Sequence, residues 1–175
     1  ARRYTRNRRG FENRLRTALP KIAYIQQAAA KHGIPGEFAL LPWVESRYRP
    51  EAGDRKGSTG AWQITPGTAS AMGLRMNERY DARLDLQASS TAVMQLLRRY
   101  HQRFGDWRMV NYAYNAGESA TARFVDRQGS QANQTAIPPW PGHAVTQRHL
   151  SQLLAIACVV RDPARFGVTL PGLRG

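Results

Sequence analysis

This chain has a single cysteine, few acids and no long apolar run, and each shortage removes a class of function. Cys158 has no partner for an internal disulfide and no basic stretch beside it, so a buried, inert thiol is expected there rather than a nucleophile. One thiol neither requires nor excludes an oxidising compartment. No stretch is long and apolar enough to span a bilayer, and Ala1-Arg2-Arg3 is not followed by the apolar region of a signal peptide. His32, His101, His143 and His149 are scattered with no i,i+4 pair, so no metal or other cofactor is expected. The P-loop, GxGxxG and GxSxG patterns are missing too. Their absence argues against phosphoryl transfer, dinucleotide binding and a nucleophile elbow. The acids number 12 against 26 Lys and Arg, giving a formal net charge of +14. Such a field favours anionic partners: nucleic acid, an acidic membrane surface, or an acidic polymer such as bacterial cell wall. The plain alternative is a surface solvated by arginine.

What is present suits one globular domain: 175 residues, 42% of them apolar. Residues 1–10 read as a basic exposed arm and residues 11–175 as a single domain. From Phe11, the residues Leu15, Leu19, Ile22, Ile25 and Ala29 keep to one helical face, with a kink or fresh start expected at Pro20 and an end at Gly33. A shorter helix is expected from Pro35-Gly36 through Phe38, Leu41 and Glu45. Glycines and a proline across 49–63 indicate loop or short irregular strands. Thr65-Pro66, Asp85 and Asp106 each read as a helix start, and Gly73, Gly105 and Gly117 as ends. Further helices are expected over 119–126 and from Leu150 to Val160, with a loop over 128–143. The fold class is mostly α, with a short irregular or β-like segment near residues 49–63.

Two neighbouring segments carry the chemistry. Glu45 follows the apolar run Leu40-Leu41-Pro42-Trp43-Val44, and a carboxylic acid among apolar side chains holds its proton more readily. That property suits the protonation of a glycosidic oxygen; pairing with Arg47 or Arg49 is the bland alternative. Twelve residues on lies Gly57-Ser58-Thr59-Gly60-Ala61-Trp62-Gln63. Its glycines let backbone come close to a ligand, Trp62 offers an apolar platform for a sugar ring, and Gln63 offers donor and acceptor. A conventional glycosidase needs a second carboxylate. Glu51, Asp54, Asp81 and Asp85 are the candidates, although turn formation and capping account for the last two. Tyr114 and Asn115, in Asn111-Tyr112-Ala113-Tyr114-Asn115-Ala116-Gly117, could meet an acid or an acetamido group, or simply close a helix.

Together these segments resemble the catalytic domain of lytic transglycosylases of the soluble-transglycosylase family, most closely its membrane-bound murein transglycosylase D group. The matching residues are Leu41 to Ser46 with Tyr48 and Pro50, Gly57 to Gln63, Thr65 to Ala69, and Gly73-Leu74. Arg83, Asp85, Phe104 to Trp107, Tyr114 to Gly117, Leu153 to Ala155 and Phe166 to Pro171 complete them, covering about residues 20–171. The resemblance implies a lysozyme-like fold and cleavage of the MurNAc–GlcNAc β-1,4 bond of peptidoglycan, with a 1,6-anhydro product. One Glu would serve as acid and then base, so Glu45 would need no second carboxylate. By position, Ser46 would hydrogen-bond near the acid. Tyr114 would orient it or stabilise charge at the reacting ring, and Gly60, Trp62, Gln63 and Asn115 would contact the sugar. The resemblance also implies glycan strands as the partner, a monomer, and a periplasmic or envelope location reached by export. Membrane association would come only through segments absent from this chain. Three departures mark the sequence. Asp54 stands where the family commonly has Ser, Ser58 replaces a usual Ala, and His149 replaces the Tyr of a Thr-Arg-x-Tyr-Val-Pro-Lys segment. A hydrolytic muramidase with Asp54 as base is the alternative. A basic nucleic-acid-binding module is more remote, because nothing resembles a recognition motif.

Overall fold

The structure, a computed structural model, describes residues 7–49, 51, 53–128, 140 and 144–170. The first helix, α1 (Arg8–Lys31), starts where the Asn7 side chain accepts the Gly10 amide at 3.0 Å. Arg8, Arg9 and Gly10 therefore form its first turn and not the end of an arm; residues 1–6 lie outside the described part. Phe11, Leu15, Ala18, Leu19, Ile22, Ile25 and Ala29 are buried along one stripe. The break expected at Pro20 does not occur. Pro20 is on the exposed side, so its ring stands clear of the core, and burial of the stripe on either side carries the helix through the missing hydrogen bond. At the far end Gly33 takes a φ of +65°, and the Ile34 amide donates back to the Ala29 carbonyl at 2.9 Å.

A 3₁₀ turn (Gly36–Leu40) leads directly into α2 (Leu41–Ser46), so the second helix is two pieces and not one. Pro42 lies in its first turn, where the lost amide costs no helical bond. The helix stops at two consecutive left-handed residues, Arg47 (φ +59°) and Tyr48 (φ +62°). Non-glycine residues in that region cost roughly 1–2 kcal/mol each. The Tyr48 hydroxyl, donating to the buried Ala39 carbonyl, and the Arg47 and Tyr48 amides, donating to Trp43 and Pro42 at 3.2 and 3.1 Å, hold the reversal. Burial pushes the Tyr48 phenol well above its ordinary ionisation range, so it stays a donor.

The segment after α2 forms isolated antiparallel bridges, Gly53 to Thr59 and Thr59 to Ile64, as the glycine pattern indicated. Arg83 is buried beneath it. Its guanidinium donates to the carbonyls of Arg55, Gly57 and Ile64 at 2.7, 2.8 and 3.1 Å and pairs with Asp81 at 2.7 Å. Next come α3 (Pro66–Ala71), capped by Thr65, α4 (Leu86–Phe104), capped by Asp85, and α5 (Trp107–Ala116), capped by Asp106. Finally come α6 (Glu118–Gln128), α7 (Ala144–Arg161) and a 3₁₀ turn (Ala164–Phe166). The expected loop over 128–143 falls almost wholly outside the described residues. Helix α5 packs against α4, α6 and α7, and α7 also meets α2, which brings residues distant in sequence to one cleft.

Cys158 is exposed, against expectation. Leu153, Ile156, Ala157 and Val159 take the inward side of α7, while Leu154 and Cys158, one turn apart, face out. An apolar run of that length encircles a helix, so part of it meets solvent.

Candidate active site

Glu45 sits in the last turn of α2, its side chain 17% exposed. It opens onto a cleft of about 270 Å³ whose polar lining includes Gln63, Thr65, Tyr100, Tyr114 and Asn115. Among the described residues lining this cleft, Glu45 is the one carboxylate. The other candidates are engaged elsewhere. Asp54 is exposed and accepts the Lys56 amide at 2.6 Å in a local turn. Asp81 is held by Arg83, and Asp85 caps α4 through the Gln87 and Ala88 amides at 2.9 and 3.0 Å. Glu51 is exposed and does not line the cleft.

The acid's carboxyl is held by a side chain of α7. Oε1 of Glu45 lies 2.7 Å from Nε2 of His149 on α7. Nδ1 of that ring lies 3.2 Å from Oδ1 of Asn111 on α5. Both partners are buried. The spacing within α7 carries a signal for the inward placement: Thr146, His149, Leu150 and Leu153 form one buried helical stripe. Nothing local, however, shows that this stripe ends on Glu45, 104 positions away in the chain.

The residues expected at the site divide into two groups. Gln63, Tyr114 and Asn115 line the cleft with Glu45. Gln63 holds a left-handed φ of +52°, and its Nε2 donates to the Gly60 carbonyl at 2.8 Å. The Tyr114 hydroxyl donates to the Trp62 carbonyl at 2.6 Å. Burial first, and then the neighbouring Glu45 charge, push this phenol well above its ordinary range, so it remains protonated and keeps its donation to that carbonyl.

Ser46, Gly60 and Trp62 act behind the cleft and do not face it. Ser46 is buried, and its Oγ donates to the Ala61 carbonyl at 2.8 Å, tying the acid's helix to the glycine turn. Gly60 has φ +78°, and a Cβ there would meet the Arg83 carbonyl at 2.0 Å; the close approach belongs to the protein's own backbone, not to a ligand. Trp62 is 0% exposed, donates from Nε1 to Ser90 Oγ at 2.9 Å, and meets the Tyr114 ring edge-on at 6.4 Å between centroids. The expected sugar platform is thus corrected to a buried prop. The indole carries an apolar body that core formation encloses once a partner for its N–H is in reach.

The site is thus a half-buried acid at the end of a short helix, sharing a polar cleft with a phenol and two amides on a helical scaffold. The chain belongs to the transglycosylase SLT domain family, whose pattern it matches over residues 23–137. It is 32% identical over 169 residues to the membrane-bound lytic murein transglycosylase D of Escherichia coli (strain K12), an alignment that covers 96% of this chain. The chain spans 37% of that relative's length. Its fold is similar to that of an inactive mutant of the lytic transglycosylase Slt from Pseudomonas aeruginosa, with a TM-score of 0.61, 84% of this chain and 24% of that one covered, and 18% sequence identity. The mostly helical, lysozyme-like architecture expected from the sequence is the one observed.

Proposed function

We propose that this chain is a peptidoglycan lytic transglycosylase that cleaves the MurNAc–GlcNAc β-1,4 bond and leaves a 1,6-anhydro-MurNAc end. The observation that carries the reading is that Glu45 is the one carboxylate among the described residues lining the cleft. A hydrolase would need a second one to activate water. Here Glu45 protonates the glycosidic oxygen as the C1–O bond breaks, and its carboxylate then takes the proton from the C6 hydroxyl as O6 bonds to C1. The proton returns to Glu45, and no water enters. An internal nucleophile already beside its target has the advantage of high effective molarity.

The lining supports the same steps. Tyr114 keeps its proton and lies close enough to Glu45 to feel its charge. Gln63 and Asn115 offer amide donors and acceptors to sugar hydroxyl and acetamido groups. Glycan strands place the work of the protein in the cell envelope, in the periplasm of an exported protein. The chain from Asn7 onward would act as one catalytic domain, and as a monomer. The net charge of +14 suits a polymer bearing peptide carboxylates.

Purified protein incubated with sacculi is expected to release muropeptides with 1,6-anhydro ends, read by mass spectrometry. Reducing ends, heavier by one water, would instead indicate a muramidase. Glu45→Gln is expected to lower the rate by on the order of 10²–10⁴ or more, because one group serves both steps. A fully active Glu45→Gln protein that still melts cooperatively overturns the assignment.

A further inference from the structure

The contact between Glu45 and His149 raises a question of proton placement. A carboxyl that must give a proton to one sugar oxygen and take one from another works only if its transferable proton sits on the oxygen facing the sugar. A free carboxyl carries its proton on either oxygen. In this site Oε1 is occupied by Nε2 of His149 at 2.7 Å, which leaves Oε2 as the atom free to exchange.

What the imidazole does to Oε1 depends on whether Nε2 bears a hydrogen. Asn111, behind the ring, decides that. With Oδ1 of Asn111 against Nδ1 at 3.2 Å, Nδ1–H donates and Nε2 bears a hydrogen only when the ring is charged. In that orientation Nδ2 of Asn111 is buried with no hydrogen-bond partner, an expensive state for a donor. Turning the amide over brings Nδ2–H onto the Nδ1 lone pair. That relieves the orphaned donor and fixes the neutral ring as the Nε2–H form. Asn111 can thus serve either charge state of the ring, and in both the ring offers Nε2–H to Oε1.

We propose that His149 is the positioning residue of the acid: backed by Asn111, it donates Nε2–H to Oε1 of Glu45 throughout the reaction and so confines the transferable proton to Oε2. The inference rests on the reading of Glu45 as acid and base. The steps balance without the ring losing a proton. Oε2–H passes to the glycosidic oxygen as C1–O breaks. The resulting carboxylate keeps its donor on Oε1, and O6–H passes to Oε2 as O6–C1 forms. The titratable neighbours do not compete for the role. Tyr114 on α5 gives its hydrogen to the Trp62 carbonyl. Tyr100 on α4 is held protonated by burial, and Glu118 at the start of α6 is paired with Arg99 and Arg103. The substituted position makes the assignment specific to this chain, because a phenol in the usual Tyr could also donate to Oε1 but needs no amide behind it to choose a tautomer.

The test compares His149→Phe, which removes the donor, with His149→Gln and His149→Tyr, which supply another. His149→Phe is expected to lose roughly 10- to 100-fold in kcat, the size of one hydrogen bond to a charged group, with KM within about two-fold and a cooperative melt retained. The Gln and Tyr variants are expected to recover most of that loss. Nitrogen-15 resonances of the ring in the unsubstituted protein should show Nε2 protonated under the conditions of the assay. A His149→Phe protein with parental kcat, or a neutral ring with Nε2 bare, overturns the inference. The ring measurement needs no variant and decides the matter even if His149→Phe does not fold. Glu45→Gln is assayed in parallel. If it is inactive while His149→Phe is fully active, the positioning role alone fails; if Glu45→Gln is active, the acid assignment fails first.

Discussion

Arg83 and Gly60 meet at the point where the glycine turn is held shut, and the two explain one another. The guanidinium satisfies three carbonyls of the 55–64 segment from below, while the Arg83 carbonyl occupies the space a side chain at residue 60 would need. Gly60→Ala would therefore combine a left-handed φ of +78° with a 2.0 Å clash against backbone, which cannot swing aside. Loss of roughly 2–4 kcal/mol is expected by chemical unfolding. Gly57 is the internal control: a Cβ there meets nothing within 4 Å, and Gly57→Ala should stay within about 0.5 kcal/mol of the parent. Equal stability of the two variants would show that the turn is not fixed by this contact. At this scale the sequence was a partial guide. It marked Glu45, Gln63, Tyr114 and Asn115, all of which line the cleft. It misread Trp62 and Gly60 as ligand contacts, because an aromatic or a glycine beside a turn looks the same whether ligand or protein covers it.

Helices show where local information suffices. Thr65, Asp85 and Asp106 each accept an amide from the first turn they were expected to cap, and Gly105 ends α4 with φ +65°. These are contacts between residues within a few positions of each other, so sequence holds both partners in view. Pro20 and Cys158 were misplaced for the opposite reason: their outcome depends on which side of a helix the rest of the chain covers. His149 is the extreme case, meeting an acid 104 positions away through packing of α7 on α2. The caps also bear on acid sensitivity. The Ala88 amide foremost holds the Asp85 carboxyl below its ordinary range, and the Arg83 side chain does the same for Asp81. Carboxylates with a depressed folded pKa add stability above their unfolded value, about 4, and that stability is lost as pH falls through the folded value. The midpoint of thermal unfolding should hold steady toward pH 5 and drop below about pH 4. Asp85→Asn keeps a capping oxygen but cannot titrate, so its decline should be shallower; an identical decline would remove Asp85 from the account.

For the whole molecule the governing quantity is charge. A net +14, from 26 Lys and Arg against 12 Asp and Glu, leaves the surface far from neutrality. Attraction to a polyanionic wall should then be long-range at low ionic strength and short-range in salt, because the screening length falls from about 10 Å at 0.1 M to about 3 Å at 1 M. Retention on isolated sacculi is expected to decline steeply across that range, and salt-independent retention would count against an electrostatic hold. None of the described helices is long and apolar enough to cross a membrane. The hydroxyls of Ser46 and Tyr114 have a further, mechanical meaning. They grip the carbonyls of Ala61 and Trp62, neighbouring peptide units, one from α2 and the other from α5. Two rivets through adjacent links leave a chain no joint to bend at. That side of the cleft is a fixed jaw with the acid mounted on it, and a polymer of the proposed kind would have to find its slack elsewhere in the cleft.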